Sequence, residues 1–190
     1  MAMFLVGLGI FVGLHSLSIV APGLRDRAAA RIGEGPWKGL YSLVSLGGLV
    51  LLIEGYSSAR LTSAVLYSPP PVLRYVAVAL MLPVFPMLLA GFLPGRIQAT
   101  LKHPLLVATK TWAFAHLLAN GSLVDVILFG ALLAWAVANR IALKRRPART
   151  LPSAPAGRFN DPLAVLIGLA LYGAFLGGLH RWLIGVNPLG

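Results

Sequence analysis

The chain has 190 residues, 58% of them hydrophobic and only 11% charged, with a formal net charge of +11 and a mean hydropathy of +0.84. A soluble domain carries about 25% charged residues, so the composition excludes an ordinary soluble protein and points to an integral membrane protein. The absence of cysteine excludes disulfides, thiolate catalysis, Cys-bound zinc, iron–sulfur clusters and covalently attached c-type heme, leaving His, Met, Asp/Glu and backbone as possible ligands.

Six apolar spans are predicted, at residues 2–21, 38–55, 72–93, 104–119, 123–139 and 163–185. Each approaches the roughly 20 residues that cross a hydrocarbon core of about 30 Å as a helix, the fourth and fifth being short. The expected fold is therefore all-α: a polytopic membrane bundle of about six helices forming a single domain over 1–190. The first segment, MAMFLVGLGIFVGLHSLSIVAPG, lacks a basic start and a small-x-small cleavage pattern, so it reads as a membrane helix rather than a signal peptide. Pro22–Gly23 should end it. Pro83 and Pro86 should kink the third span by removing backbone donors. The core helices occupy 1–143; the stretch KRRPARTLPSAPAGRFNDP (144–162) is a basic, proline-rich linker; and the last helix, at 163–185, reads as a peripheral addition.

The positive charge is unevenly placed. Six crossings put Arg25, Arg27, Arg31, Lys38, Arg96, Lys102, Arg140, Lys144, Arg145, Arg146, Arg149 and Arg158 in connectors of one side, and only Arg60 and Arg74 on the other. This asymmetry predicts that the basic side is cytoplasmic and that both termini face away from it. Topology and contact with anionic lipid account for the charge, which excludes nucleic acid as a partner.

The polar residues inside the spans are few, and KHPLLVATKTWAFAHLLANG (102–121) holds most of them. An ionisable group at membrane depth costs roughly 2.5–3.5 kcal/mol on insertion scales. Trp112, His116 and Asn120 are spaced by four and share a helix face, whereas His103 and Lys110 form another stripe. His103 and His116 are thirteen residues, about 20 Å, apart along the axis and cannot share a metal ion. His103 before Pro104 marks the interfacial start of a helix. His116 lies about 18 Å into the span and must face the bundle, either as an interhelical hydrogen-bonding group or as a ligand. Lys110 either snorkels to the cytoplasmic side or pairs with an anionic ligand. His15 sits in the inner-leaflet half of the first helix. Two buried histidines on different helices suit a b-type heme, which takes one or two axial imidazoles from facing helices. His180, near the outer end of the last helix, reads as structural, with a secondary-ligand role left open, and Gly173 and Gly177 beside it as a close-packing small-xxx-small face. Asp125 opens the fifth helix, where a carboxylate is favourable.

HPLLVATKTWAFAHLLANG, with LFGALLAWA after it, LHS in the first helix and WKGLYSLVSLGGLVLL in the second, closely resembles the NnrU family over about residues 1–185. These are bacterial inner-membrane proteins often encoded beside genes of nitrite and nitric oxide reduction. That family is similar to zeta-carotene isomerase, a membrane enzyme that uses heme b to isomerise a double bond without net redox change. The resemblance implies heme b iron with His15 and His116 as axial ligands and His103 as a supporting or alternative ligand. Trp112 would pack on the cofactor and Lys110 meet a propionate. Where the isomerase has a cysteine just before its second histidine, this chain has Ala113, so no thiol is available for ligand exchange. The implied function is a heme-dependent cis–trans isomerase acting on a lipophilic polyene. The alternatives are a non-enzymatic heme protein of nitric oxide metabolism and a cofactor-free assembly factor. Lys102-His103-Pro104 also resembles the Arg-His-Pro segment of isoprenylcysteine-type membrane methyltransferases. The Glu-rich C-terminal segment of those enzymes is missing, which argues against S-adenosylmethionine chemistry.

Overall fold

A computed structural model describes residues 1–145 and 153–189. Among them the helices are α1 (Ala2–Val20), α2 (Pro22–Ile32), α3 (Glu34–Arg60), α4 (Pro71–Met81), α5 (Val84–Ala90), α6 (Arg96–Leu101), α7 (Pro104–Ala119), α8 (Leu123–Ala142), α9 (Asn160–Ala174) and, after a π-helical turn at Phe175–Leu179, α10 (His180–Ile184). The described residues hold no strand, only an isolated antiparallel bridge between Val65 and Ser122. The all-α expectation holds.

Among the described residues, five stretches are long and apolar enough to cross a membrane: Ala2–Val20, Glu34–Arg60, Pro71–Ala90, Leu123–Ala142 and Asn160–Ile184. The remaining predicted span, the fourth, is α7; it has 16 residues, about 24 Å at 1.5 Å per residue, and falls short of that length. It nevertheless joins the same two ends of the bundle as its neighbours. At one end, the connector after α3 pairs with the turn between α7 and α8, Leu66 N donating to Gly121 O at 2.8 Å and Leu123 N to Ala64 O at 2.8 Å. At the other, α9 begins beside α6, its Asp161 carboxylate accepting from Arg96 N at 2.7 Å and Ile97 N at 3.1 Å.

Glycine sets how closely the helices approach. α1 and α3 run antiparallel with Gly55 against Phe4, Gly7 against Leu52 and Gly48 against Ile10 and Phe11. A Cβ on Gly55 or Gly7 would lie 2.3 Å from the facing backbone nitrogen. In lipid, where hydrocarbon tails compete for apolar surface, such close approach is what holds helices together. The main core gathers Phe4, Leu8, Leu52, Ala59, Ala113, Val124, Leu128 and Phe129 between α1, α3, α7 and α8. The proline break falls as expected, between Met81 and Val84. The last helix uses it: Gly168 of α9 rests on the Pro86 backbone, and the Tyr172 hydroxyl donates to Val78 O at 2.8 Å.

Pro22–Gly23 ends α1 as expected and also begins α2, because Pro is suited to the first helical turn. Two expectations are corrected. The last helix starts at Asn160 rather than 163, held by the Asn160 amide donating to Pro94 O and Pro155 O. Gly173 and Gly177 do not mediate close packing, since a Cβ at either meets nothing within 4 Å. The close approaches lie in α1–α3 and at Gly168 instead. The middle of the proposed linker, 146–152, lies outside the described residues.

Candidate functional site

The site builds from α7, whose i, i+4 spacing lines up the predicted stripe. His116 Nδ1 lies 2.8 Å from Trp112 O, and the Asn120 amide donates to His116 O at 2.9 Å. A histidine whose Nδ1–H donates to a backbone carbonyl is fixed in the tautomer that leaves Nε2 as a bare lone-pair donor. Aromatic rings enclose the imidazole: Trp112 at 4.9 Å and Phe129 of α8 at 4.6 Å between centroids. On its other side stands His180 of α10, with ring centres 6.5 Å apart and planes within 28° of parallel. His180 has the same anchoring, Nδ1 lying 2.7 Å from Val186 O.

His15 occupies a different environment. Its Nδ1 lies 2.7 Å from Phe11 O, and its ring meets Phe11 at 4.4 Å, Tyr41 of α3 at 5.6 Å and Trp135 of α8 at 5.9 Å. The Trp135 indole nitrogen is buried with no hydrogen-bond partner among the described residues. A shallow groove of ≈ 260 Å³ on α3 is lined by Tyr41, Ser42, Ser45, Leu46 and Leu49. The α8 residues touched by the two histidines, Trp135 and Phe129, are six apart: about 9 Å along the axis and roughly 120° around it. The structure therefore brings His116 and Trp112 together as predicted, adds His180, and seats His15 against another face of α8.

His103 is the N-cap of α7, at the basic end of the bundle. The preceding Lys102 has φ 62°, the one positive φ outside glycine among the described residues. His103 N donates back to Leu101 O at 2.7 Å, which makes Lys102 the centre of a γ-turn, a strained conformation. The Lys-His-Pro run thus turns the chain sharply into α7. Lys110 is half-buried one and a half turns above it. Desolvation lowers the pKa of His103 below its ordinary 6.5, helped by the charges of Arg140 and Lys102. The imidazole is accordingly neutral at pH 7. A lowered folded value means that the unfolded chain binds the proton more readily, so this group favours folding above pH 6.5 and loses that effect as pH falls through the folded value. Histidine NMR should show His103 titrating below a free imidazole, and Arg140→Ala should move its midpoint upward; an unchanged midpoint would remove Arg140 as a cause.

The outer-end turn also accounts for Asn120-Gly121. A Cβ on Gly121 would collide with the Tyr67 carbonyl, and the Tyr67 hydroxyl donates to Leu117 O and Asn120 O. Asn120 is thus committed to ending α7 rather than to binding.

The donor set discriminates between cofactors. A bare zinc ion takes four protein or water ligands, and the described residues contain no convergent group of three or more His, Cys, Asp or Glu. A porphyrin brings four nitrogens of its own and needs only axial donors and apolar walls. Anchored imidazoles with free Nε2 atoms among Trp112, Phe129 and Phe175 fit the second case.

A family model described as NnrU protein matches residues 3–188. No curated protein and no solved structure matches the chain.

Proposed function

The chain belongs to the NnrU family, and from that premise we propose that it is a multi-pass heme b protein of the bacterial inner membrane that isomerises a double bond in a lipophilic polyene. The observation that carries the reading is His116: a single tautomer, held by the Trp112 carbonyl, presenting Nε2 inside an aromatic shell. With α7 counted as a crossing, six passes alternate between the two ends, and the basic end (α2, α6 and the end of α8) faces the cytoplasm and its anionic lipid. Both termini then lie on the opposite side.

Heme b, when bound, supplies a Lewis-acid iron that polarises a polyene so that a double bond can rotate without net oxidation. The chain's own contribution is positional. His116 would hold the iron and Trp112 would pack on the macrocycle. Lys110, about 9 Å inward along α7, would be the cation offered to a propionate, with His103 below it as the supporting group. The resemblance implies His15 as the second ligand. The aromatic rings of Trp112 and Phe129 shield the imidazole from water.

Protein purified after expression with ample heme supply should show a Soret band, with separate oxidised and reduced spectra, and His116→Ala should lose or alter it. No Soret band in the unmodified protein would sink the proposal. A heme protein that binds nitric oxide but leaves a cis polyene unconverted when reduced would keep the cofactor and overturn the isomerase activity.

A further inference from the structure

We infer that His180, rather than His15, would share the iron with His116; the inference rests on the heme reading above. Two imidazoles that bind one metal through Nε2 at about 2.0–2.1 Å each have ring centres on the order of 6 Å apart. The His116–His180 centres stand 6.5 Å apart. Both rings use Nδ1 on a backbone carbonyl, the arrangement that orients a metal-binding histidine and raises its basicity; His15 shares it, so the choice between them rests on proximity to His116.

The chain around His180 is built to place it. The helix kinks within Phe175–Leu179, where Gly178 takes a non-helical φ of 143°, a conformation open to glycine. The helical turn that resumes at His180 is set by that kink. Immediately after α10, Gly185 adopts the left-handed conformation at φ 78°. That turn carries the Val186 carbonyl back to the His180 Nδ1. These positive-φ glycines have no packing role, since a Cβ at either meets nothing within 4 Å; what they share is the presentation of His180. His15, by contrast, packs on Trp135, about 9 Å along α8 from the Phe129 that touches His116.

The test is absorption and EPR spectroscopy of the full chain reconstituted with heme b. The unmodified protein should be six-coordinate and low-spin. His180→Ala should become high-spin and return to low-spin on addition of imidazole. His15→Ala should stay low-spin. His180→Met, which keeps an axial donor, should stay low-spin with a raised reduction potential; this variant serves if the alanine variant fails to fold. A low-spin spectrum that survives His180→Ala, an unshifted potential in His180→Met, or loss of the low-spin state in His15→Ala would overturn the assignment. Those outcomes leave heme binding intact, whereas absence of any Soret band in the unmodified protein defeats both readings.

Discussion

Replacing Gly55 by valine should separate α1 from α3 and leave little folded protein. The added Cβ would sit 2.3 Å from Phe4 N and 2.5 Å from Phe4 Cα, and neither atom can swing aside as a side-chain tip can. The two helices must move apart by about 1 Å or more to restore ordinary contact distance. That movement opens the interface sealed by Phe4, which is fully buried, and by Leu8 and Leu52. Over-packing usually costs about 1–3 kcal/mol; here the obstacle is backbone on a helix pair that depends on close approach, so the loss should reach at least about 3 kcal/mol. Gly47 lies on the same helix with nothing within 4 Å of its Cβ position, and Gly47→Ala should leave the melting temperature unchanged or slightly higher. Thermal unfolding in detergent, followed by loss of monodisperse protein, measures both. Equal melting temperatures for Gly55→Val and Gly47→Ala would show that the α1–α3 contact does not hold the bundle.

That contrast bears on what the sequence can convey. Apolar runs and prolines act locally, so the helices, the break after Met81 and the start of α7 at Pro104 were readable from composition and backbone chemistry. The Trp112–His116–Asn120 stripe was readable too, because a spacing of four residues on a helix has one geometric meaning. Whether a glycine meets a neighbour is settled by which helix lies opposite. Gly173 and Gly177 have the spacing of a packing face and touch nothing, while Gly7, Gly48 and Gly55 make the close approaches. The His116–His180 pair is invisible for the same reason: the residues are 64 positions apart, and they meet only because α9 docks on the proline-kinked α5 and a kink at Gly178 redirects its end. The available signal was a glycine on either side of His180, Gly178 and Gly185, whose positive φ values bend the chain about the histidine.

Substituting Asp125 by alanine should cost about 1–3 kcal/mol, mostly from a stranded buried hydroxyl, with the carboxylate half of a capping box lost as well. Asp125 is 6% exposed, and its carboxylate ties the start of α8 to α3. It completes a capping box with Ser122 at the start of α8, where Asp125 N lies 3.3 Å from Ser122 Oγ and Ser122 Oγ lies 2.6 Å from the carboxylate. It also accepts from the Tyr56 hydroxyl of α3 at 2.6 Å. Alanine keeps the Ser122 cap on the residue-125 backbone N–H but removes the carboxylate that accepts from Ser122, and it strands the Tyr56 hydroxyl beside the packed core of Phe4, Leu52 and Val124. Tyr56→Phe removes that hydroxyl without leaving it unpaired, so it should cost less than Asp125→Ala. In the double variant the stranded-hydroxyl penalty disappears, and the combined loss should fall short of the sum of the single losses. A fully additive pair of losses would show that the tyrosine–aspartate bond contributes nothing. The heme spectrum provides a second readout. Phe129, which packs on His116, lies one turn beyond Asp125 on α8, so fraying of that first turn loosens one wall of the imidazole's aromatic shell. In Asp125→Ala the Soret band should therefore persist but broaden, whereas Tyr56→Phe, which leaves the capping box whole, should keep the unmodified spectrum.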